Sequence, residues 1–159
     1  MKLTILEDAS ERQDLFFWAG PIQLSMLESW LAEHSWNIPQ ELKYLWSETG
    51  GGDFFDTETI FAPFSDLWAD DSVEQVNRYQ RQKGLPEHYL LFHYGIRLSA
   101  VDCVSSQYLF LNETTFQIQQ TFSSLEHWYT EGIRPVFEQK YSLRSVSAMK
   151  SAPRFEKGL

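Results

Sequence analysis

The stretch Tyr89 to Thr121, YLLFHYGIRLSAVDCVSSQYLFLNETTFQIQQT, decides the fold. Its period is that of strands, and Tyr89–Tyr94, Ile96–Asp102, Tyr108–Leu111 and Thr115–Thr121 are rich in β-branched and aromatic residues. Gly95, Ser105-Ser106 and Asn112-Glu113 separate them. Spacing of this kind suits an antiparallel meander.

Upstream the period changes to that of helices. Pro21 is a residue favoured at a first helical position, and Leu24, Leu27 and Leu31 recur behind it with Met26 and Trp30 broadening the stripe. Ile38-Pro39 opens a second helix with Leu42, Leu45 and Trp46 on one face, and Gly50-Gly51-Gly52 ends it. Short strands are expected around Asp53–Phe55 and Thr59–Phe61. Ser72 and Gln75 form a capping box for a third helix, Val73 to Lys83, which Gly84 stops. Ser123 and Glu126 form another, opening a helix through Leu125, Trp128 and Tyr129 that Gly132 closes. Lys2 to Leu6 alternates and is expected as an edge strand. The order predicts one α+β domain over residues 1–140, an antiparallel sheet packed against several helices. A basic tail, 141–159, is expected to be loosely held or folded back over the acidic body.

The chain's 159 residues suit one domain that needs no metal or disulfide staple. Cys103 is the only cysteine, which excludes an intrachain disulfide and a cysteine-based zinc site. Residues 1–8 lack the layout of a signal peptide, and no apolar run approaches the ~20 residues that span a bilayer. These features read as a cytoplasmic protein without a membrane partner.

Charge is the strongest compositional signal. Twenty-two acids against thirteen bases give −9. No basic residue occurs between Lys43 and Arg78, whereas Glu48, Asp53, Asp56, Glu58, Asp66, Asp70, Asp71 and Glu74 all lie there. After Ile133 the sign reverses, with Arg134, Lys140, Arg144, Lys150, Arg154 and Lys157 against Glu138 and Glu156. An acidic body repels phosphate backbones, which argues against direct nucleic-acid binding. It attracts a basic partner or simply keeps the protein soluble. Phe54, Phe55, Phe61, Phe64 and Trp68 lie among these acids. Rings of this kind serve either the core or a contact rimmed by charge, and Trp68 best fits the exposed role.

Sites of chemistry are weakly signalled. His88 and His93 are five apart, an odd offset that points strand side chains to opposite faces, and they read as satisfied or surface histidines together with His34 and His127. Cys103 has no basic sequence neighbour to activate it and reads as a small buried residue. Gly50-Gly51-Gly52 follows a helix and leads into Asp53, which suits a turn rather than a phosphate cradle. A pair such as Asp53 and Asp56 leaves acid–base or metal-assisted hydrolysis as a further class.

Asn37-Ile38-Pro39-Gln40-Glu41-Leu42-Lys43-Tyr44-Leu45-Trp46, followed by Glu48-Thr49-Gly50-Gly51-Gly52, resembles the signature of the SUKH superfamily, a helix entered at an apolar-proline pair and ended by a Gly-Gly turn and a short strand. Val76-Asn77-Arg78, Gly84-Leu85, the strand series and Phe122-Ser123-Ser124-Leu125-Glu126-His127-Trp128 are similar to the family's C-terminal half, so the likeness runs from about Pro21 to Gly132. The resemblance implies an immunity protein that binds and neutralises a bacterial toxin, often a nuclease, or an interaction module like the fungal members that regulate cell-wall synthesis. It implies no catalysis and no cofactor, and fixes no functional residues. Charge and aromatic content therefore select the expected partner-binding set: Asp53, Asp56, Glu58, Asp66, Asp70 and Asp71, with Trp68 as anchor, facing a toxin with a basic cleft.

Overall fold

Strands β4 (Tyr89–Tyr94), β5 (Leu98–Asp102), β6 (Tyr108–Leu111) and β7 (Ile118–Phe122) pair in sequence order, each antiparallel to the last, as the turn spacing predicts. They belong to a computed structural model that describes residues 1–64, 72–146 and 149. Three short strands extend the sheet at the β4 side: β1 (Phe16–Trp18), β2 (Gly52–Phe54) and β3 (Glu58–Ile60). The result is one seven-stranded antiparallel meander in the order β1 to β7. With its helices it forms a single α+β domain, the expected class.

Local chemistry trims the expected strands. The Ile96 N–H turns away to the Glu58 carboxylate, so β5 starts at Leu98. The Thr114 and Thr115 N–H groups both donate to Asn112 Oδ1, a side-chain-closed turn that delays β7 to Ile118.

Helices α2 (Leu24–His34) and α3 (Gln40–Thr49) bury Leu27, Trp30, Leu31, Leu42, Leu45 and Trp46, whereas Leu24 and Met26, expected in the α2 stripe, are exposed. Gly50 takes the left-handed C-cap of α3 at φ 70°. Helix α4 (Val73–Gln82) starts as predicted, Ser72 Oγ accepting the Gln75 N–H at 3.3 Å. Its buried Asn77 both accepts from the Leu91 N–H (2.8 Å) and donates to the Leu91 carbonyl (3.0 Å). The side chain thereby acts as a fragment of strand at the irregularity in β4 and holds α4 against the sheet.

Three expectations are corrected. Lys2 to Leu6 is not a strand: α1 spans Thr4–Glu11 and buries Thr4, Ile5 and Asp8, the spacing of a helix face. Its first turn is completed from the far end of the chain, Glu126 accepting from the Thr4 N–H (2.9 Å) and hydroxyl (2.6 Å). Glu126 is therefore not part of a local capping box. The cap of α5 (Leu125–His127) is Ser124, which accepts from the His127 N–H at 3.0 Å, and the Leu125 N–H donates to Glu41. Nor does Gly132 end a helix. The chain continues through a π-helical turn, Trp128–Ile133, into α6 (Arg134–Glu138). A Cβ at Gly132 would lie 2.7 Å from Phe110 and 2.8 Å from Phe122, so the missing side chain admits the helix to the sheet.

The boundary at residue 140 also shifts. Tyr141 and Leu143 pack against the core, Arg12 donates to the Tyr141 carbonyl at 2.6 Å, and Arg144 pairs with Glu11. The basic segment thus folds back on acids up to Arg144, while residues 150–159 lie outside the described set.

α1 is tied to the C-terminal helices by a buried cluster. Arg134 (1% exposed) bonds both carboxylate oxygens of Asp8 (2%), at 2.7 and 3.1 Å, and the Tyr129 hydroxyl donates to Asp8. Burial opposes the charge on Arg134, and the bonds and charge of Asp8 reverse that, holding its proton more tightly than usual. Removing one partner strands a buried charge. Asp8→Ala should cost about 3–5 kcal/mol in urea unfolding, and Asp8→Leu with Arg134→Met should recover most of the loss.

Candidate partner-binding surface

Glu58 was expected on the surface; the fold buries it. Phe54 and Glu58 are register partners beside a three-residue turn, so when Phe54 enters the core Glu58 enters beside it. Its carboxylate accepts from the Thr57 hydroxyl (2.7 Å), the Ile96 N–H (3.0 Å) and His93 Nε2 (2.8 Å). His93 Nδ1 lies 2.7 Å from Ser99 Oγ, which also accepts the Trp128 indole N–H at 2.9 Å. A Cβ at Gly95 would fall within 2.2–2.3 Å of the carboxylate, so this glycine makes room for the acid. Glu58, His93, Ser99 and Trp128 are all fully buried. A carboxylate, an imidazole and a hydroxyl in line are the parts of a nucleophile relay, yet here every polar atom is spent inside the core. A partner cannot reach Glu58, which leaves the set of contact acids.

Asp53 points the other way. Residues directly opposite in an antiparallel ladder share a face. Phe17 pairs with Asp53, Asp53 with Thr59, and Thr59 with Tyr94, so four strands carry a row Phe17–Asp53–Thr59–Tyr94 across the sheet's outer side. Phe17 is 63% and Tyr94 46% exposed. Thr59 donates to Asp53 at 2.8 Å, fixing the carboxylate between the rings. Tyr94 donates to Glu113 at 2.8 Å, and that bond raises its hydroxyl pKa, keeping it a donor. The row holds two exposed rings and one carboxylate, with Glu113 as a second carboxylate at its Tyr94 end.

Asp56 sits at the tip of the β2–β3 turn. Phe55 and Asp56 have φ of 51° and 64°, and the Thr57 N–H returns to the Phe55 carbonyl at 2.7 Å, a tight three-residue turn centred on the acid. Tyr141 donates to Asp56 at 2.6 Å while its ring stacks on buried Phe55, centroids 5.7 Å apart. Asp56 is exposed but already engaged by the C-terminal segment. Asp66, Trp68, Asp70 and Asp71 lie outside the described residues.

Phe17 and Tyr94 were not singled out from the sequence. Phe16-Phe17-Trp18 is an unbroken aromatic run in which no alternation separates inner from outer rings. Tyr94 ends the run Tyr89–Tyr94, in which no apolar–polar alternation marks an outer face. Their exposure follows from register. Of the other rings, Phe54, Phe55 and Phe61 are buried in the core, and Phe64 is half-buried against it.

The remaining chemistry is muted. Cys103 is half-buried, and burial, seconded by Asp102, pushes its thiol up to about 11. Among the described residues no three His, Cys, Asp or Glu side chains are grouped to hold a metal ion, and no helix is long and apolar enough to cross a membrane. No protein-family model matches the chain, and no curated protein matches it.

Burial lowers the His93 pKa from its ordinary 6.5, against the opposing bond and charge of Glu58. Below 6.5 the unfolded chain takes up a proton that the folded chain resists, so the unfolded state binds more protons there. The His93 contribution to stability is thus complete above 6.5 and declines as pH falls below it. Urea midpoints followed from about pH 7 to 5 should drop less steeply in His93→Gln than in the parent chain.

Proposed function

We propose that the chain is a cytoplasmic immunity protein, which neutralises a cognate bacterial toxin by binding it directly and covering a basic cleft, as in a nuclease. The observation that carries this reading is the row across β1 to β4. Exposed Phe17 and Tyr94 flank Asp53, and Glu113 extends the acidic rim. Rings that give up water on contact supply affinity, and carboxylates around them speed encounter with a basic surface and reject acidic ones. The single α+β domain with its all-antiparallel sheet supports the SUKH resemblance read from the sequence. The net charge of −9 supports steering toward a cation-rich partner.

The mechanism is occlusion. A rigid sheet face offers its side chains without prior ordering, which lowers the entropic cost of association. About 800 Å² per partner suffices for a stable complex, within reach of a domain this size.

An immunity gene is expected directly downstream of its toxin gene. Co-expression with the product of the adjacent upstream gene should restore growth to cells that this product otherwise kills. Phe17→Ala should weaken the purified complex by on the order of 2–4 kcal/mol, and Asp53→Lys should slow association most at low salt. A harmless neighbour, or a toxic one against which the chain gives no protection, removes the proposal.

A further inference from the structure

Helix α2 carries two acids, Glu28 and Glu33, and a histidine but no lysine or arginine. It also leaves two large apolar side chains in water, Leu24 at 49% and Met26 at 56% exposure. Met26 lies on the helix side that also holds Ser25, Ser29, Trp30 and Glu33, and with Phe64 these line an open groove of about 430 Å³.

The groove wall is rigid. Trp30 meets Phe64 edge-on at 5.2 Å, Trp36 at 5.2 Å and Trp46 at 6.0 Å, and its indole N–H donates to Glu74. No rotation of the ring is available without breaking that bond. At the rim stand the Ser25 and Ser29 hydroxyls and the Glu33 carboxylate, which is exposed and has no ion-pair or hydrogen-bond partner among the described residues. No lysine or arginine lines the groove among those residues.

An apolar lining of Met26, half-buried Phe64 and the little of Trp30 left open (6%), beside an exposed carboxylate and two hydroxyls, complements a long apolar stem ending in a flat cation. Arginine is that side chain: its guanidinium stacks on rings and forks toward carboxylate and hydroxyl oxygens, which a lysine ammonium does not. We propose that the α2 groove receives an arginine side chain of the toxin, seated against Trp30 and Phe64 and paired with Glu33. This rests on the reading of the chain as a toxin-binding protein, and adds a contact built from different residues than the row around Asp53.

The test measures binding kinetics of the purified upstream-gene product to the parent chain and to Met26→Asp, Glu33→Arg and, as a control, Glu131→Arg. All three positions are exposed or on the groove rim, so thermal melts should match the parent. Met26→Asp and Glu33→Arg should each weaken binding roughly tenfold or more, chiefly through faster dissociation that persists at high salt, and the control should stay within about threefold. If the parent binds and both groove variants bind as tightly, or lose only association rate, this inference alone fails. If the parent does not bind, it falls together with the proposed function. A parent chain that dimerises, with the dimer lost in Met26→Asp, would assign the groove to a second copy and overturn it as well.

Discussion

One buried carboxylate near the start of the chain and one buried guanidinium near its end hold the architecture together. Every strand of the sheet pairs with its neighbour in sequence, so the meander alone does nothing to bring the termini together. Asp8 and Arg134, 126 positions apart, do so, and Thr4 with Glu126 repeats the join one turn away. Both joins work because the donors and acceptors are fully used. Asp8 takes two bonds from Arg134 and one from Tyr129, while the remaining guanidinium nitrogen reaches Glu138 at 2.9 Å. A buried pair so satisfied specifies where α1 sits more than it adds to stability. With α1 placed, Arg12 can meet the Tyr141 carbonyl and Glu11 can meet Arg144, so the basic end of the chain is held on the acidic body.

That arrangement changes what the acids are for. Composition treats the stretch from Glu48 to Glu74 as one negative field, but the fold divides it by direction. Glu58 turns inward to close a polar chain through His93 and Ser99 to Trp128. Asp56 is held by Tyr141, Glu74 serves Trp30 and His34, and Asp53 alone of these four stands between exposed rings. Net charge supplies long-range attraction whichever way each carboxylate points, whereas contact requires those that face water.

The parts legible in the sequence are those in which one local signal is unopposed. The stripe of α3, Leu27, Trp30 and Leu31 of α2, the Ser72 cap of α4 and the turn-bounded strands β4 and β6 follow propensity and pattern. Three failures share a cause, a side chain whose partner is far away along the chain. Glu126 looked like a local cap because Ser123 precedes it by three, but its carboxylate reaches Thr4. Gly132 looked like a stop because glycine ends helices, but it is there for Phe110 and Phe122. Glu58 looked solvated because nothing in its neighbourhood along the chain reveals Gly95 and His93 around it.

The same reasoning explains why the contact row was harder to find than the core. A core residue is marked by its own apolarity, and misplacing it by one position costs burial that the pattern makes visible. A contact residue on a sheet face is defined by register: moving β1 by one residue relative to β2 would place Phe16 beside Asp53 and turn Phe17 inward, with no change in composition. The register is fixed by groups at the ends of the strand. The Phe55 N–H donates to the Leu15 carbonyl before β1, and the Ala19 N–H to the Gly51 carbonyl after it. Phe17 is therefore outward because the backbone on either side of it leaves no alternative, and the pairing of an exposed ring with Asp53 is a property of the whole β1–β2 ladder rather than of either residue.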